Sequence, residues 1–90
     1  AASDVYKRQV APAAPVHVLM IPKAHTENII TAEPELLLYM FGKVKELAEK
    51  LGVNEKGFRI VANTGDDGGQ TVKHLHIHLL GGKALGWPPC

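Results

Sequence analysis

From residue 16 to residue 21 the chain reads Val-His-Val-Leu-Met-Ile between Pro15 and Pro22, a β-branched and apolar run that predicts a buried strand. Leu37, Met40, Phe41, Val44, Leu47, Ala48 and Leu51 then recur at helical spacing, with lysines and glutamates on the remaining positions. That stripe predicts one long helix ending near Leu51 and packed through a single face. Thr31 is its expected N-cap, Glu33, Pro34 and Glu35 suit its first turn, and Gly52 its C-terminal cap. Residues 58–63 alternate as a second strand, residues 64–69 form a polar, glycine-rich turn, and residues 74–80 alternate as a third strand. Gly81 and Gly82 end that strand, and the Trp87-Pro88-Pro89 tail is expected to be extended. Residues 1–14 have no clear period and receive no element. Strand, helix, strand, tight turn, strand predicts an α+β domain with a mainly antiparallel sheet and the helix on one face.

Ninety residues allow one small domain, whose marginal burial makes oligomerisation plausible on physical grounds. Ten Lys plus Arg against nine Asp plus Glu leave a net charge of +1 with the basic residues scattered, so no nucleic-acid footprint is expected. Cys90 is the single cysteine, which removes internal disulfides and cysteine zinc sites. With no membrane-length apolar run and no secretory signal core, the expected location is the cytoplasm, away from membranes.

The chemistry concentrates in histidine. His74, His76 and His78 alternate with Leu75, Ile77 and Leu79, so on an extended chain three imidazoles share one face and three apolar side chains the other. Six ring nitrogens in a row need partners, which argues against a purely structural role. His25 follows the first strand and joins them, while His17, inside that strand, reads as structural. Two chemistries suit the row: a metal site built on His-x-His, or nucleophilic attack by a neutral imidazole whose second nitrogen is fixed by an acceptor. Just ahead lies Gly68-Gly69-Gln70-Thr71, where small residues admit backbone N–H groups to a phosphate and Thr71 adds a hydroxyl. A phosphate site beside imidazoles points to phosphoryl or nucleotidyl transfer.

The segment His74-Leu75-His76-Ile77-His78-Leu79-Leu80 resembles the signature of the histidine triad (HIT) superfamily. The flanking Ala14-Pro15-Val16-His17 through Pro22-Lys23-Ala24-His25, Asn63, Gly68-Gly69-Gln70-Thr71-Val72 and Trp87-Pro88-Pro89 are similar to its Hint branch, the purine nucleoside phosphoramidases. The resemblance implies a HIT-like fold, a homodimer, and cleavage of adenosine-type 5'-phosphoramidates to the monophosphate without cofactor or metal. By position it implies His76 as the nucleophile that forms a nucleotidyl-histidine intermediate. His78 and Thr71 would contact the phosphate or leaving group, and His74 and His25 would support the imidazole network. Asn63, Gly69, Gln70 and Val72 would complete the substrate pocket, with Trp87 influencing substrate choice.

The family's preceding helix and strand hairpin are not matched, and Gln9 stands where an acidic ribose-binding residue is expected. Residues 1–9 are therefore read as a non-family junction ahead of a HIT domain over 10–90, with an N-terminally truncated pocket. Two other functions fit the same residues, a noncatalytic nucleotide-binding scaffold and a histidine metal site.

Overall fold

In a computed structural model, residues 4–8 and 14–89 are described. The chain forms strands β1 (Asp4–Arg8) and β2 (Val16–Pro22), helices α1 (Pro34–Gly42) and α2 (Val44–Leu51), then strands β3 (Phe58–Val61) and β4 (Ile77–Gly81). The four strands make one antiparallel sheet in the order β1-β2-β4-β3. This is the α+β, HIT-like arrangement expected, with the helical segment over one sheet face.

The sequence pattern carries through to the core. Val18 and Met20 of β2 and Ile77 and Leu79 of β4 bury one face of the sheet together with Leu75, against Met40, Leu47 and Ala48 of the helices. Leu37, Val44 and Leu51 pack around them, whereas Phe41 is half exposed. In α2 only a stripe is buried because Lys45, Glu46, Glu49 and Lys50 gain nothing from leaving water, whereas α1 leaves Leu38 and Phe41 exposed beside its buried Met40.

Four local expectations are revised. The single long helix is present from Pro34 to Leu51, α1 and α2 being its two parts, joined through Lys43 in helical conformation; the first revision is the second of the expected strands, β3, which stops at Val61 and not at Asn63. The N-cap is Glu33, with Pro34 in the first turn, and not Thr31. The Thr31 hydroxyl instead accepts the backbone N–H groups of Glu27 and Asn28 at 3.1 and 3.2 Å, closing a turn over residues 26–31. Competition between local turn and helix is common for threonine, and here the turn wins. Gly52 does end α2 in the left-handed conformation, at φ +75°.

The third revision is β1, which lies in a stretch with no legible period yet pairs from Asp4 to Arg8 with Pro22 to Val18 of β2. Ladder pairing with a long neighbour needs backbone groups, not a side-chain pattern. Gln9 lies outside the described residues. Finally, the third strand begins at Ile77 and not at His74. Ahead of it the Leu75 N–H turns away from the sheet and donates to the Thr26 carbonyl at 2.8 Å, leaving the lead-in bonded to the 26–31 turn.

Candidate active site

Although β4 is shorter than expected, the alternation survives across the whole lead-in. Leu75, Ile77 and Leu79 are buried to within 2% exposure, while His74, His76 and His78 are only half-buried on the opposite face. Burial of the leucine and isoleucine side chains sets the facing of the imidazoles between them, because an extended chain cannot bury one set without presenting the other.

Each imidazole meets a defined neighbour. His74 donates its Nε2–H to the Pro22 carbonyl at 2.9 Å, at the end of β2. His76 donates its Nδ1–H to the His74 carbonyl at 2.8 Å. A carbonyl only accepts, so the neutral His76 ring carries its proton on Nδ1 and leaves a lone pair on Nε2. The His25 ring stands edge-on to His74 with centroids 5.0 Å apart, and His76 is tilted against His78 at 5.3 Å. His17, read from sequence as structural, is brought onto the same cluster: its Nε2 lies 2.8 Å from Nδ1 of His78. No local sequence signal marks that contact, since 61 residues separate the pair.

Burial first, then the neighbouring His17 and His76, hold the pKa of His78 below its ordinary value. The sign follows from linkage. A histidine whose folded-state pKa is depressed binds fewer protons folded than unfolded, so stability is fully present above the ordinary value of about 6.5 and is lost as the pH falls through the folded pKa. The urea midpoint is therefore expected to drop between about pH 7.5 and pH 5.5, and to drop less in His78→Asn. An equal fall in both proteins would remove His78 from the account.

The segment before the triad is built as a rigid loop. Gln70 is its hub: Oε1 accepts from Asn28 Nδ2 at 3.2 Å and from the Gly65 N–H at 3.0 Å, while Nε2 donates to the Glu27 carbonyl at 2.7 Å and the Val72 carbonyl at 3.0 Å. All four capacities of the amide are taken by protein, so this side chain clamps the loop to the 26–31 turn. Asn63 Nδ2 donates to the Gly68 carbonyl at 2.6 Å. The Gly69 N–H donates to the Asp66 carbonyl at 3.0 Å and the Gln70 N–H to the Gly65 carbonyl at 3.0 Å. Among the described residues the Thr71 hydroxyl and the Val72 N–H have no protein partner, and both residues are exposed. These two, with the Asn63 carbonyl end, are the groups the loop leaves available.

Trp87 is 82% exposed and makes no hydrogen bond or ring contact with the histidines among the described residues. Its tail is held instead by Arg59, which donates to the Gly86 carbonyl at 2.8 Å. A cavity of about 510 Å³ lies among Gly52, Val53, Lys56, Gly57 and Lys83, with no histidine in its lining. Among the described residues no three His, Cys, Asp or Glu side chains are grouped to hold a metal ion. Among the described residues no helix is long and apolar enough to cross a membrane.

A family model described as HIT domain matches residues 4–85. An uncharacterized HIT-like protein of Synechococcus elongatus is 55% identical over 85 residues, spanning 91% of this chain and 74% of that one. A second uncharacterized HIT-like protein, from Synechocystis, is 48% identical over the same shares. Among solved structures, a HIT family hydrolase from Legionella pneumophila superposes with a TM-score of 0.89 at 39% identity, covering 100% of this chain and 89% of the other. A histidine triad nucleotide-binding protein from Candida albicans gives a TM-score of 0.81 at 29% identity, covering 98% and 70%.

Proposed function

The chain belongs to the HIT domain family, and from that premise we propose that it hydrolyses purine nucleoside 5'-phosphoramidates of the adenosine type through a covalent bond to His76. The observation that carries this reading is the His76 tautomer: Nδ1–H is tied to the His74 carbonyl, so the Nε2 lone pair is the one presented. In the proposed reaction that lone pair bonds to phosphorus as the P–N bond breaks. The amine departs, taking up a proton, and water then cleaves the phosphorus–histidine bond to release the nucleoside monophosphate. The relatives named as a hydrolase and as a nucleotide-binding protein support a nucleotide substrate.

In this reading the Val72 N–H, the Thr71 hydroxyl and His78 face the phosphate, where fixed donors stabilise charge that develops in the transition state. Asn63 and Gly69 shape the loop, Gln70 holds it in place, and His74 and His25 brace the nucleophile from behind. The reading includes a homodimer. β3 is an outer strand of the sheet, and its Phe58 shares a groove with Phe41 of α1, the two side chains exposed at 37% and 49%. An open ladder edge next to apolar side chains suits pairing with a second copy, which would also bring Trp87 against another molecule.

The test is release of AMP from adenosine 5'-phosphoramidate in the presence of a metal chelator. Steady release, with one nucleotidyl group found on the chain after acid quenching, is the expected result. Tight AMP binding without release would assign the noncatalytic scaffold instead, and activity that disappears with chelation would assign the metal site.

A further inference from the structure

Asn28 lies on the 26–31 turn, well before the triad in sequence, and its polar side chain is buried at 8% exposure. A buried amide needs partners for both of its ends. Its Oδ1 accepts the Ile30 N–H at 2.9 Å, and its Nδ2 lies 3.2 Å from Oε1 of Gln70, 42 residues further on. The backbone settles which group donates. The Ile30 N–H can only donate, so the oxygen of Asn28 faces it and the nitrogen faces Gln70. The Gly65 N–H can likewise only donate, so Oε1 of Gln70 receives both bonds, and Nε2 is left to the Glu27 and Val72 carbonyls at 2.7 and 3.0 Å. Turning either amide over would set like groups against each other at every one of its contacts.

The turn that carries Asn28 is bonded to both halves of the site. The Leu75 N–H donates to the Thr26 carbonyl at 2.8 Å and ties the triad lead-in to it. The Asn28 side chain and the Glu27 carbonyl tie the glycine-rich loop to it through one amide, that of Gln70. The turn is itself closed by the Thr31 hydroxyl and by the Ala32 N–H, which donates to the Asn28 carbonyl at 3.1 Å. The separation between the His76 imidazole and the loop's Val72 N–H and Thr71 hydroxyl is therefore set by this turn as well as by the short stretch of chain between them. Among the described residues, Asn28 is the one side chain of the turn that hydrogen-bonds to the loop.

We propose that Asn28 is a positioning residue for the phosphate: by donating its Nδ2–H to Oε1 of Gln70 it fixes the amide that holds the Val72 carbonyl, and so keeps the Val72 N–H and the Thr71 hydroxyl where they meet a phosphate beside His76. The inference rests on the phosphate role given to that loop above. Asn28 touches no substrate in this arrangement. Its effect is to have the donors in place before charge develops, so that nothing is spent on moving them. A misplacement of about 1 Å in such groups costs on the order of a hundredfold in rate.

Asn28→Asp isolates the contact, because it keeps the size of the side chain and the oxygen that accepts the Ile30 N–H, and turns only the donor facing Gln70 into a carboxylate oxygen. In the full chain at about pH 8, the Gly65 N–H and the Gln70 side-chain N–H groups are expected to exchange with water at least roughly tenfold faster in Asn28→Asp than in the unaltered chain. AMP affinity should weaken, and kcat/KM for AMP release from adenosine 5'-phosphoramidate should fall between about tenfold and a hundredfold, the effect of one hydrogen bond replaced by repulsion. Should the aspartate variant not fold, Asn28→Ala is expected to lower kcat/KM about tenfold. In a Gln70→Ala background the same Asn28→Ala change should cost less than about twofold, since its route to the phosphate is gone, whereas a residue that merely supports the fold would cost the same factor in both backgrounds. Unchanged exchange at Gly65 and Gln70 in Asn28→Asp, equal losses in the two backgrounds, or AMP affinity and kcat/KM both unaltered overturns the proposal. Exchange and AMP affinity require no turnover, so faster exchange and weaker AMP binding in a chain that releases no AMP would support the hold of Asn28 on the loop and overturn the phosphoramidate reading alone.

Discussion

Replacing His76 with alanine is expected to lower kcat for AMP release from adenosine 5'-phosphoramidate by at least roughly a thousandfold, with little change in KM. Loss of a covalent nucleophile removes the reaction path itself, whereas the loop donors that bind the phosphate stay in place, and mutational effects of this size are usual for such residues. The side chain is half-buried and its one hydrogen bond goes to the adjacent His74 carbonyl, so the substitution should leave the fold intact. The nucleotidyl adduct on the chain should vanish with it. A variant that keeps more than a tenth of the activity, or that still accumulates the adduct, would move the nucleophile to another residue. His74 is then the weaker candidate, because its Nε2 is already committed to the Pro22 carbonyl.

The second large effect is expected at Gly68, where the loop has no room for a side chain. A Cβ built at this position would fall onto the backbone carbonyl oxygen of Thr64 and within 2.9 Å of its nitrogen. Backbone cannot swing aside as a side-chain tip can, so alanine must displace the turn that carries Gly69 and Gln70. Overpacking of this kind costs about 1 to 3 kcal/mol, which in a domain of this size lowers Tm by roughly 5 to 20 °C. Nucleotide affinity should fall as well, since the displaced turn also loses the Asn63 bond to the Gly68 carbonyl. Gly42→Ala is the matched control. At the end of α1 nothing lies within 4 Å of its added Cβ, and alanine there is expected to be neutral or to stabilise by about 0.5 to 1 kcal/mol. Equal melting temperatures for Gly68→Ala and the unaltered chain would sink the steric argument.

Much of this site was legible without coordinates. The alternation of His74, His76 and His78 with Leu75, Ile77 and Leu79 is a local property of extended backbone, and it persists even where the segment is not a ladder-bonded strand. The helical stripe identified Met40, Leu47 and Ala48 as core, and Gly52 announced the end of α2. The residues of the Gly68–Thr71 segment were likewise marked as a site by their small size and position. Their division of labour was not: Gln70 has the composition of a ligand contact, yet its amide is used up by partners at residues 27, 28, 65 and 72.

What the chain determines by itself is therefore the pattern of faces and the inventory of reactive groups, because these depend on spacing along the backbone and on which side chains leave water. Tertiary structure decided the rest. β1 exists because β2 offers it a full ladder, Thr31 became a turn residue because the 26–31 loop must meet the triad lead-in, and the His76 proton sits on Nδ1 because the backbone turns the His74 carbonyl toward it. His17 passed for a core residue in the sequence and became a partner of His78 through the pairing register of two strands. A register is fixed by the sum of contacts over whole strands, and a hydrogen bond demands a few tenths of an ångström, so no pattern of neighbours in sequence can specify which two imidazoles will share a proton.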